Sequence, residues 1–77
     1  MYDYNVKWCP ICNQGWVQIV KEIETEVLFL LCEECESEWN NPQEIEKENC
    51  TRDTYGFITT PTYSEIMEKG WQKFIIK

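Results

Sequence analysis

Two cysteine pairs constrain this chain more than any other feature. Cys9-Pro10-Ile11-Cys12 and Cys32-Glu33-Glu34-Cys35 are each C-x-x-C, with nineteen residues between them. A C-x-x-C turn aims two thiolates at one point, and a second pair at this separation closes a tetrahedron of sulfurs round one ion. The intervening stretch is long enough for two strands and a turn, so the ion would staple the base of a hairpin. Two disulfides, or four unrelated thiols, are the plain alternatives. The N-terminus reads Met1-Tyr2-Asp3-Tyr4-Asn5, without the basic-then-apolar order of a secretion signal, and no apolar run is long enough to span a membrane. The expectation is therefore a cytoplasmic, reducing setting, where paired cysteines more often hold metal than cross-link. A thioredoxin-type redox motif needs one C-x-x-C in a βαβ context, and here there are two.

Four thiolates suit zinc, and they also suit a single iron. Cys9-Pro10-Ile11-Cys12 resembles a rubredoxin knuckle, and rubredoxins are likewise small and acidic. Their pairs are typically followed directly by glycine and lie further apart. Here Asn13 and Glu36 take those places, with Gly15 two residues after Asn13. Asn tolerates the left-handed conformation that glycine otherwise supplies, which makes the second knuckle the poorer rubredoxin match. One Zn2+ on Cys9, Cys12, Cys32 and Cys35 is expected, with one Fe as the alternative.

With 77 residues the chain has little room for a core, and chains of this size commonly need a metal or disulfide staple. Structural zinc supplies an apparent ~10 kcal/mol or more, which serves as folding free energy. Such a site uses all four positions for protein ligands and does no chemistry. There is no His, and no nucleophile–base pair can be picked out, so a non-enzymatic protein is expected.

Fourteen acids against seven bases give a formal charge of −7. Four thiolates on one divalent ion add −2, taking the loaded chain from −7 to about −9. The acids are concentrated: ten of the fourteen lie between Glu22 and Glu48, opposed only by Lys47. A phosphate-binding surface needs clustered Lys and Arg, so direct nucleic-acid binding is not expected. The same argument sets aside base stacking by Trp16, Trp39, Trp71, Tyr55 and Phe57. An acidic face attracts a basic protein, or simply keeps the chain soluble.

Along the chain, residues 2–8 read as an edge strand or a cover over the metal, with Tyr2, Tyr4, Val6 and Trp8 on one side. Residues 16–21 are β-branched and aromatic, as strands prefer. Residues 22–26 form the turn without a two-residue hairpin signal. Residues 27–31 are apolar throughout and read as a central strand covered on both faces. Trp39 is placed over the second knuckle. Asn40-Asn41-Pro42 ends the ribbon, and residues 43–53 form a short helical turn or loop anchored by Ile45, with Cys50 an ordinary free thiol. Residues 55–60 read as a third strand. Thr62 and Glu65 form a capping box for a helix over 63–69 with Gly70 as its C-cap; Tyr63, Ile66 and Met67 take its buried face. Trp71, Phe74, Ile75 and Ile76 dock the tail on the sheet.

The two knuckles with Trp39 resemble the zinc-ribbon superfamily over residues 8–39. The fold this implies is a small metal-stapled, β-rich domain: an antiparallel hairpin with a third strand and a short C-terminal helix. One domain spans 1–77, with an acidic loop or turn at 40–54 and strand, helix and apolar tail at 55–77. Gly15-Trp16-Val17, Leu31-Cys32-Glu33-Glu34-Cys35 and Trp39 also resemble small bacterial zinc-ribbon immunity proteins of toxin systems such as contact-dependent inhibition. That resemblance implies an inhibitor occluding the basic site of a nuclease toxin. Glu22, Glu24 and Glu26 at the hairpin tip, with Glu33, Glu34, Glu36 and Glu38 at the second knuckle, would meet the partner. The alternatives are an accessory ribbon docking on a transcription or phage–host assembly, and a rubredoxin-like electron carrier.

Overall fold

A computed structural model describes residues 4–52 and 54–76. Tyr2 and Asp53, which the sequence places in the lead-in and the acidic loop, lie outside them. Five strands form one antiparallel sheet: β1 (Asn5–Trp8), β2 (Trp16–Glu22), β3 (Leu28–Cys32), β4 (Glu38–Trp39) and β5 (Ile58–Thr59). Their order is β1-β2-β3-β4, and β5 shares the outer edge of β2 with β1. β1 runs beside Trp16–Gln18 and β5 beside Lys21–Glu22, so one edge is covered in two pieces. One α-helix among the described residues, α1 (Tyr63–Lys69), follows, with 3-10 turns at Pro42–Glu44, Lys47–Asn49 and Gln72–Phe74.

The central β2–β3 hairpin is buried on both faces, and alternation sorts its side chains. Val17, Ile19, Leu28, Leu30 and Cys32 face a core shared with Trp39, Ile45, Ile66 and Trp71. Val20 and Phe29 are cross-strand partners on the opposite face, 0% and 1% exposed. Tyr55 stacks on Phe29 there, with centroids 3.8 Å apart and planes 12° from parallel. The apolar β3 run is thus covered from within the chain. Val27, expected inside that strand, stands at the turn and is exposed. Glu26 closes the turn at φ 63°, its N–H donating to Glu22 O while Glu22 N–H donates to Val27 O.

Packing corrects four expectations. A register shift between Asn5 and Lys7 breaks the alternation of β1, so Val6 is buried while Trp8 is exposed. Trp8 meets Trp16 edge-on at 5.0 Å. β5 holds only Ile58–Thr59 of the strand expected at 55–60. Tyr55 leaves for Phe29, and Gly56 N–H donates to Glu22 Oε2. In α1 the capping box of Thr62 with Glu65 and the left-handed Gly70 cap are both present, but only Ile66 is buried; Tyr63 and Met67 are exposed. Seven residues give less than two full turns, and the chain buries Trp71 instead of a second helical residue. The tail docks in part. Phe74 and Ile75 pack on the core, while Ile76 is exposed with its N–H donating to Asn5 O. The acidic segment is held by Ile45, 2% exposed, whose carbonyl accepts from Lys7 Nζ.

Candidate metal centre

Each C-x-x-C folds into the same tight turn. Asn13 N–H donates to Cys9 O at 3.2 Å and Glu36 N–H to Cys32 O at 3.1 Å. Both residues closing the turns are left-handed, Asn13 at φ 54° and Glu36 at φ 63°. The returning chain is fastened alike, Cys9 N–H to Gly15 O and Cys32 N–H to Ser37 O, both 2.9 Å. Gly15 lets the two turns approach: a Cβ there would lie 2.5 Å from Glu34 Cγ and 3.0 Å from Glu34 Cβ. Glu33 N–H donates to Trp16 O at 3.1 Å, and Trp16 N–H donates to Glu33 Oε2 at 3.1 Å.

These turns bring Cys9, Cys12, Cys32 and Cys35 together, with all four sulfurs within 4.8 Å of one another. Cys9 and Cys35 sulfurs are 3.7 Å apart, and those of Cys12 and Cys32 are 3.6 Å apart. A tetrahedron with metal–sulfur bonds of about 2.3 Å has edges of about 3.8 Å. The cysteines are unbridged, and these separations far exceed a disulfide bond of about 2.05 Å. The cluster therefore suits a metal ion. Trp39, 1% exposed, belongs to the core cluster that the four cysteines join, and its Nε1–H donates to Glu46 O at 2.9 Å. Cys50 stands outside the four, its Sγ 3.7 Å from Lys47 O.

The sulfurs are supported unequally. Cys9 Sγ accepts from Ile11 N–H at 3.3 Å and from Cys12 N–H. Cys32 Sγ accepts from Glu34 N–H at 3.4 Å and Cys35 N–H at 3.5 Å. Cys35 Sγ is 3.2 Å from the Ser37 hydroxyl, whose oxygen also accepts from Arg52 Nη2 at 3.3 Å. Burial pushes Cys32 up to about 12 and raises Cys9 as well. Burial works the same way on Cys35, but hydrogen bonds from Ser37 and the neighbouring cysteines bring it down to about 6. Ionising all four thiols of so close a cluster requires a cation. Neither Ser37 nor Arg52 was foreseen from the sequence. No spacing marks Arg52, and only its proximity to Cys35 in the chain could have flagged Ser37.

The acids expected to meet a partner are divided by the fold. Glu22, Glu24 and Glu26 lie at the tip of the β2–β3 hairpin and Glu33, Glu34 and Glu36 at its sulfur end, about 20 Å away along seven-residue β2. Glu24, Glu26, Glu33, Glu34 and Glu36 are exposed. Glu22 is half-buried, its carboxylate accepting from Thr25 Oγ1 and Gly56 N–H, both at 2.6 Å. Glu38 does not belong with the exposed set: it is 5% exposed. Its Oε1 accepts from Thr51 Oγ1 at 3.1 Å and Thr54 N–H at 3.2 Å, because β4 turns this side chain against residues 51–54.

The sequence did not single out Phe57 as a surface feature of its own. It is 88% exposed, beside Ile23 at 54%, and its carbonyl accepts from Ile23 N–H at 2.9 Å. No described helix is long and apolar enough to cross a membrane. No family model, curated protein or solved structure matches the chain.

Proposed function

We propose that this chain is a non-catalytic zinc ribbon in which one Zn2+ on Cys9, Cys12, Cys32 and Cys35 holds a protein-docking surface in shape. The observation that carries it is four unbridged sulfurs from two matching turns at tetrahedral spacing. The ion would offset half the charge of the four thiolates and fasten the two turns, and that binding free energy would serve folding. Iron is the alternative occupant. Purification followed by native mass spectrometry and elemental analysis tests the reading. One zinc per chain in colourless protein supports it, red iron-loaded protein moves it to an electron carrier, and no bound metal overturns it.

The docking surface we assign is the hairpin tip. Phe57 stands in water although its neighbours are fastened, Tyr55 by stacking on Phe29 and Gly56 through Glu22. Glu24 and Glu26 stand exposed on the same turn. An ordered aromatic bordered by carboxylates suits a basic protein with an apolar cleft: the charges speed capture and the ring slows release. The concrete form is an inhibitor closing the cationic cleft of a nuclease toxin in the cytoplasm, with no direct nucleic-acid contact. Affinity capture from the native cell at low and moderate salt tests this. One basic nuclease at near-equal amount, lost with Phe57→Ala and weakened with Glu24→Gln and Glu26→Gln, supports inhibition. A multi-subunit assembly would instead make the chain an accessory ribbon.

A further inference from the structure

We infer that Cys12 is the modification site of the metal centre, the one sulfur that soft alkylating electrophiles attack while the ion is bound. This rests on the metal reading above and adds to it which thiolate reacts. Metal-bound thiolates stay nucleophilic in proportion to the electron density left on sulfur, and hydrogen bonds to sulfur withdraw it. Cys9, Cys32 and Cys35 each have such a partner, from Ile11 N–H, from Glu34 and Cys35 N–H, and from the Ser37 hydroxyl backed by Arg52. Among the described residues no N–H or O–H donor reaches Cys12 Sγ, whose polar neighbour is Cys32 Sγ.

Access points the same way. Cys9 is 1% exposed and Cys32 0%, while Cys12 and Cys35 are half-buried. Of the two cysteines that are not fully buried, Cys35 is the one held by Ser37. Attack would form a bond from Cys12 Sγ to the alkyl carbon as the leaving group departs with its electron pair, with no change of oxidation state. The sulfur becomes a neutral thioether, the site loses one negative charge, and its hold on the ion falls.

The test uses the whole metal-loaded chain with iodoacetamide as the electrophile and iodide as leaving group. Metal content is fixed first by native mass spectrometry, then the position of each adduct by peptide mapping over time, with metal release followed by a chromophoric chelator. Cys50, outside the cluster, serves as the uncoordinated reference. The expected result is a first cluster adduct at Cys12, about tenfold or more ahead of Cys9, Cys32 and Cys35, with one metal released per adduct. Ser37→Ala should raise the Cys35 rate towards that of Cys12 and leave Cys12 unchanged. A metal-loaded chain alkylated first at Cys35, or evenly at all four, overturns this inference and leaves the metal reading standing. A chain without metal overturns both.

Discussion

The two cysteine turns share one backbone trace and differ in what surrounds their sulfurs. The second turn is buried at Cys32, where two N–H groups point at sulfur, and is braced at Cys35 by Ser37 and Arg52. The first supplies two N–H groups, those of Ile11 and Cys12, to Cys9 and none, among the described residues, to Cys12. Their backbones differ the other way. The first closes on Asn13, a residue suited to the left-handed region, and the second on Glu36, which is not. Sulfur support and backbone comfort have thus been placed on opposite turns. Four like cysteines in sequence become three supported sulfurs and one, that of Cys12, without a donor among the described residues.

The largest test of that contrast is removal of sulfur. Stripping the metal with a chelator should unfold the chain, a loss on the order of 10 kcal/mol, read by circular dichroism. Cys32→Ala should approach that limit, because it also leaves a cavity in the core beside Val17 and Leu30. Cys12→Ala should keep a folded, weakly loaded chain on three sulfurs. Equal loss of metal affinity and of Tm in the two variants would erase the contrast.

Next comes the contact between the turns. Gly15→Ala puts a methyl 2.5 Å from Glu34 Cγ, and Glu34 Cβ, at 3.0 Å, is too near the backbone to swing aside. A cost of about 1–3 kcal/mol is expected, measured by denaturant unfolding of the metal-loaded chain. Metal affinity should fall with it, because the two turns are pushed apart.

The clustering of the four cysteines and the helix limits were legible because both rest on local signals: C-x-x-C spacing and the Thr62, Glu65 and Gly70 caps act within a few residues. The rest depended on distant partners. Glu38 reads as one more surface acid until Thr51 and Thr54 arrive to bond it. Tyr55 reads as strand until Phe29 offers a ring to stack on. Met67 reads as core in a helix whose one buried turn is already filled by Ile66. The sulfur contrast belongs to the same class, since Arg52 acts on Cys35 across seventeen positions of chain.

A smaller effect, opposite in sign at the two turns, concerns the left-handed residues. Glu36→Gly should stabilise by about 0.5–1 kcal/mol, since glycine relieves the left-handed penalty at some cost in chain entropy. Asn13→Gly should gain nothing and lose the bond that Trp8 Nε1–H makes to Asn13 Oδ1 at 2.7 Å. A gain at both positions would mean that Asn13 is as strained as Glu36.

The smallest effect asks whether the contrast is confined to the sulfur end. At the tip, Thr25 and Gly56 hold the Glu22 carboxyl below the usual carboxylate range. A folded pKa below the unfolded one adds stability above the ordinary value of about 4.3, and that stability fades as pH falls through the lower folded value. Glu22→Gln should therefore flatten the loss of stability in that acid window. Acid also protonates the metal-bound thiolates, equally in both chains, so the difference between native and Glu22→Gln curves isolates the tip. At neutral pH the same variant should leave metal affinity and the order of cysteine alkylation unchanged. If it shifted either, the two ends of the hairpin would be coupled through β2, and the unequal turns could no longer be explained by their own hydrogen bonds.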